Sequence, residues 1–85
     1  MTKAKQTTKN IKLSEKLASF IEENPSAVKD LPNDASFVFF SSKDKELNKV
    51  NSKLVDSLVG SGSKVVKAEE TNNKKQPWRF IPVSV

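Results

Sequence analysis

The chain has no cysteine, no histidine and no tyrosine among its 85 residues, and only two glycines. Without cysteine there is neither a disulfide framework nor a thiolate cluster, as befits a reducing compartment. Without histidine, the commonest metal ligand and the commonest general base are both missing. No apolar run approaches the roughly 20 residues of a membrane span. The opening segment MTKAKQTTK also lacks the apolar block of a secretory signal. These absences point to a cytoplasmic protein with no metal, no cofactor and no membrane partner. A single domain of this size buries only about 60 to 65 per cent of its unfolded surface. An enclosed active site with a small-molecule substrate is therefore not expected.

What the chain does have is charge. Fifteen basic residues face ten acidic ones, for a net charge of +5 and a pI near 9.6. Four lysines, Lys3, Lys5, Lys9 and Lys12, fall in the first twelve residues. Residues 1–9 read as a disordered, solvated basic tail and residues 10–85 as a single small α/β domain.

Leu13, Leu17, Phe20 and Ile21, with Ile11, recur at helical spacing and predict an amphipathic helix capped by Asn10 or Thr8. Asn24-Pro25 ends it, because proline lacks the amide and restrains its predecessor. Ser26 to Leu31 fits one further turn, and Pro32-Asn33-Asp34 is a turn by composition. Phe37-Val38-Phe39-Phe40 is apolar at both alternating positions, the pattern of a strand covered on two faces. Leu47, Val50, Leu54, Val55 and Leu58 predict a second helix, with Asp44 as its cap and Gly60-Ser61-Gly62 as its stop. Lys64 to Glu69 reads as a strand, Glu70 to Gln76 as a loop, and Trp78 to Val83 as a last strand that Pro82 confines to an edge. The order is helix, strand, helix, strand, strand. A crossover helix makes the first two strands parallel, and the short polar loop makes the last an antiparallel edge.

Each candidate for chemistry meets an ordinary explanation. SSKDKEL lies where a first strand ends and a helix begins, the place where parallel sheets bind anions. It carries no glycine, and a capping Asp44 would occupy the amides and repel a phosphate. Ser41 or Ser42 with Lys43 could form a nucleophile pair only if the lysine were desolvated, which a charged surface segment does not provide. Glu22-Glu23 and Glu69-Glu70 are neighbours in sequence, not an acid and base held across a cleft. An enzyme is not expected. KKQPWRF interleaves charge with rings: Lys74, Lys75 and Arg79 could meet phosphates while Trp78 and Phe80 stack on bases. The same alternation places Trp78 and Phe80 on one strand face, as core residues would be. On the second helix, Asn51 interrupts the apolar stripe, and a structural hydrogen bond is its expected role.

Further motifs carry a resemblance. Asn24-Pro25 after a helix, Pro32 with Ala35 before an apolar strand, Asp44 with Glu46, Leu47 and Asn51, and Gly62-Ser63-Lys64-Val65 together resemble a small family of uncharacterised microbial proteins, a domain of unknown function. Lys45 stands where that pattern has proline. The resemblance implies the fold and no activity, ligand or catalytic residue. The leading expectation is a non-enzymatic protein-interaction module that binds a protein partner or itself as a homodimer, with Phe37, Phe39 and Trp78 as interface candidates. The alternative is a single-stranded nucleic-acid binder using Lys74, Lys75, Trp78, Arg79 and Phe80, with help from the lysine-rich tail.

Overall fold

Residues 1 to 83 are described by a computed structural model. Helix α1 spans Lys3–Glu23, a 3-10 turn spans Pro25–Val28, strand β1 spans Ser36–Phe40, helix α2 spans Lys45–Gly60, and strands β2 and β3 span Val65–Glu70 and Trp78–Val83. The three strands stand in the order β1-β2-β3, with β1 parallel to β2 and β3 antiparallel to it. This is the expected mixed α/β architecture, with β3 on an edge.

Helix α1 begins well before the expected start near residue 10, so residues 3 to 9 are helical and not a disordered tail. Thr2 supplies the cap, its hydroxyl accepting the Lys5 amide at 3.1 Å. Asn10 and Thr8 lie inside the helix instead. The extension has a physical cause in two polar residues on the buried stripe. Gln6 and Asn10 continue the line of Leu13 and Leu17 toward the N-terminus and hydrogen-bond Asn51 of α2. Ile11 lies off that stripe and is 52% exposed, contrary to its expected place in the core. At the other end, the Asn24 amide reaches the carbonyls of Phe20 and Ile21 before Pro25 turns the chain away.

Strand alternation sorts the core into two clusters. The pairing of Phe39 with Ala68 and of Ala68 with Phe80 puts these three on one face. That face joins Leu13 and Leu17 of α1, Leu47 of α2, Ala68 and Trp78. Phe37 and Phe39 meet Phe80 and Trp78 there edge to face, at centroid distances of 6.3 and 6.4 Å. On the opposite face Val38 and Val65 pack against Val55 of α2, with Phe40, Leu58, Val59 and Val83 around them. The apolar strand is thus covered on both sides, as its sequence asks.

Helix α2 serves both clusters because it lies against the free edge of β1. The Ser36 amide donates to the Lys64 carbonyl at 2.8 Å, so alternate residues from Ser36 face β2 while Phe37 and Phe39 turn their peptides to the open edge. Asn51, fully buried, donates from Nδ2 to the Phe39 carbonyl at 2.7 Å. Its amide also pairs reciprocally with that of Asn10, and its Oδ1 accepts from Gln6 at 3.0 Å. Every donor and acceptor of this side chain is occupied.

The turn out of α2 depends on Gly62, whose φ of 84° is the left-handed conformation that a side chain disfavours. The Gly62 amide donates to Val59 and the Ser63 amide to Leu58, each at 3.0 Å, which closes the helix with a Schellman motif. At the far edge, the bond from the Thr71 amide to the Pro77 carbonyl fixes the β2–β3 alternation. Pro82 consequently turns its missing donor outward.

Two outcomes follow from these contacts. Gly62→Ala should cost about 1 kcal/mol in urea unfolding, entirely from backbone conformation, since a Cβ there meets nothing. Asn51→Leu should cost about 3 kcal/mol by stranding the Phe39 carbonyl and the amides of α1. A loss below about 1 kcal/mol at Asn51 would show that the amide network does not hold the helices to the edge.

Candidate functional site

Parallel strands leave a crevice at their carboxyl ends, and the β1–α2 turn and the end of β2 enclose one here. An open cavity of about 400 Å³ is lined by residues including Ser41, Ser42, Asn48, Glu70 and Arg79. Asn48 fixes the turn by a reciprocal pair with the backbone of one residue: the Ser41 amide donates to Oδ1 at 2.7 Å, and Nδ2 donates to the Ser41 carbonyl at 2.8 Å. The Ser41 hydroxyl accepts the amides of Lys43 and Asp44 at 3.1 and 3.2 Å. Asp44 in turn accepts the Leu47 amide at 3.0 Å, the expected N-cap. The amides of Lys43, Asp44 and Leu47 are thus taken by oxygens of the chain itself.

Charges in the crevice are matched to one another. Glu70 accepts the Ser42 amide at 3.3 Å and Lys16 of α1 at 3.2 Å. Burial opposes its ionisation, yet the Ser42 amide and Lys16 together outweigh that effect and hold its pKa below the ordinary 4.5. The hydrogen bond from Lys9, with that of the Leu47 amide, likewise lowers Asp44 below 3.8. Both lysines come from one side of α1, so the crevice and the helix are tied by two ion pairs. Glu69 receives Nε and Nη2 of Arg79 at 2.9 and 2.6 Å. Lys43 is exposed and meets Ser41 only through its backbone amide, an arrangement that does not activate a hydroxyl. Among the described residues no group of three acidic side chains is placed to hold a metal ion.

The residues of KKQPWRF do not converge. Lys74 and Lys75 lie exposed in the β2–β3 loop. Arg79 points to one face of the sheet, where Glu69 holds it, while Trp78 and Phe80 point to the other. Trp78 is only 8% exposed and packs among Leu13, Leu17 and Leu47. It is therefore not available for stacking on bases, and its ordinary reading as core is the correct one. Phe37 and Phe39 are half-buried on the same covered face, so that face is not open to a partner in the way their pattern suggested. The contacts missed in sequence were Lys9 with Asp44 and Lys16 with Glu70. The spacing of Lys5, Lys9, Lys12 and Lys16 on one side of a helix could have revealed them, once that segment was read as helical.

The protein is thus a small mixed α/β domain whose parallel-strand crevice is lined by its own capping and ion-pair network. Residues 5–79 match the model described as a family of unknown function, DUF5647, and the chain belongs to that family. No curated protein and no solved structure matches the chain. Among the described residues no helix is long and apolar enough to cross a membrane.

Because both carboxylates titrate below their ordinary values when folded, they stabilise the fold above those values, and the contribution disappears as pH falls through the lowered ones. Urea midpoints measured from about pH 7 to about pH 2 should fall on the acid side, and Glu70→Gln should flatten that fall. An equally steep fall in the variant would remove Glu70 from the explanation. Trp78 emission should also be blue-shifted and poorly quenched by acrylamide; ready quenching would contradict its burial.

Proposed function

We propose that this protein is a non-enzymatic cytoplasmic interaction module that works by binding protein, in the first instance a second copy of itself. The observation that carries this reading is the uncovered side of β3. Helix α2 lies toward β1, so Lys67, Glu69, Arg79 and Ile81 line the part of that sheet face beyond it, with Ile81 36% exposed. Beside that face, the outward peptides of Trp78 and Phe80 form an open edge. Pro82 limits strand pairing at one end but leaves the donors of Trp78 and Phe80 in place.

An antiparallel meeting of two β3 strands would satisfy these donors and continue the sheet through a two-fold axis, an arrangement in which one patch serves both partners. It would also shelter Ile81 from water. A core as small as this one gains from such company. The absence of histidine and cysteine and the self-satisfied crevice support a role through contacts and not through chemistry.

Light scattering across a concentration series should give a mass approaching twice 9.4 kDa. Ile81→Lys or Phe80→Pro should return the protein to the single-chain mass while its circular dichroism persists. A single-chain mass at every concentration would defeat self-association through β3.

A further inference from the structure

The excess charge of the protein is concentrated in the N-terminal part of α1 and in α2 with the two residues before it, while Glu22 and Glu23 at the far end of α1 fall outside this region. Residues 1–16 and 43–60 hold nine lysines against Glu15, Asp44, Glu46 and Asp56, an excess of five that equals the net charge; the remaining residues balance six against six. Within this region Lys5, Lys9, Lys12 and Lys16 follow one another at intervals of four, three and four along α1. These intervals keep them on a single side of the helix. By helical rise the row is about 17 Å long. Lys5, Lys9 and Lys12, with Ala4 and Thr8, line an open concavity of about 380 Å³.

The stability of the helix does not explain this row. Lysines three and four apart repel one another. The first turn of α1, where a negative charge would favour the helix, contains no acidic residue and two lysines, Lys3 and Lys5. Lys9 and Lys16 have internal duties with Asp44 and Glu70. Lys5 and Lys12 form no ion pair among the described residues, although they lie in the same row. Solubility alone is served by mixed signs, and a row of one sign at the cost of local repulsion calls for an external anion.

We infer that the lysine row of α1 binds the phosphate backbone of nucleic acid, without reading bases. Phosphates of one duplex strand recur about every 3.4 Å along the axis, so the row spans about five of them. Lysine, a compact point charge, suits backbone contact, whereas the described residues lining the concavity include no aromatic ring to stack on a base. A membrane surface fits less well. Apart from Ile11, the large apolar residues of α1 between Lys3 and Leu17 are buried, which leaves little to insert among lipid tails.

Fluorescence anisotropy with labelled single-stranded RNA, single-stranded DNA and duplex DNA would test the inference at several salt concentrations. Binding should weaken steeply with salt and tolerate changes of sequence. Lys5→Gln with Lys12→Gln should lower affinity about tenfold or more and reduce the logarithmic salt slope by about two, since two phosphate contacts are lost. These positions have no packing role, and an unchanged circular dichroism spectrum would show that the fold is intact. Lys74→Gln with Lys75→Gln should leave affinity nearly unchanged. The inference is overturned if no probe binds at low salt, if the loop pair accounts for binding while the helix pair does not, or if phosphatidylserine vesicles bind through Lys5 and Lys12 and nucleic acid does not.

Discussion

The arrangement depends on a single buried amide. Asn51 joins by hydrogen bonds three elements that also share the apolar cluster: it donates to the open edge of β1, pairs with Asn10 and accepts from Gln6. An edge strand with unpaired peptides is prone to recruit another chain. Here a side-chain amide occupies the Phe39 carbonyl, and α2 is held in the place where an additional strand would lie. Because the amide is also bound to α1, the same interaction sets how the first helix crosses the second. A leucine would fill the volume but satisfy none of these partners.

From that anchor the two faces of the sheet become unequal. The face with Trp78 and Ala68 is roofed by α1 and by the start of α2, and its aromatic rings meet edge to face. The other receives only α2, which reaches Val38 and Val65 but leaves Ile81 in part exposed. The lysine of that face, Lys67, lies 5.4 Å from the centre of the Phe40 ring and shields some of the remaining apolar surface. Closing β1 with a helix therefore leaves β3 as the side on which the fold is unfinished.

The strands, the second helix and their order were legible because each is written in local signals: the apolar run at Phe37, the Asp44 cap, the glycine at 62 and the proline at 82. The role of Asn51 was legible as structural from its place on an apolar stripe. The first seven residues of α1 were not, since the half-buried Gln6 and Asn10 face the core by hydrogen bonding to a residue more than forty positions away. Periodicity of apolar residues does not register a polar residue that acts as core. The fate of Trp78 was ambiguous for a related reason. A strand's alternation says which residues share a face, while the helix that covers the face is set by contacts distant in sequence.

That same extension changes what the lysines mean. In a disordered segment, Lys5, Lys9, Lys12 and Lys16 would be independent charges that spread apart by repulsion. In a helix pinned by Gln6 and Asn10, their mutual positions are fixed, and the repulsion is held within the fold. Lys9 and Lys16 relieve part of it through Asp44 and Glu70, residues that also cap α2 and close the crevice. The carboxylates that exclude a phosphate from the carboxyl ends of the strands thereby steady the cationic row beside them. Anion attraction is displaced from the place where a parallel sheet ordinarily offers it to the flank of the first helix.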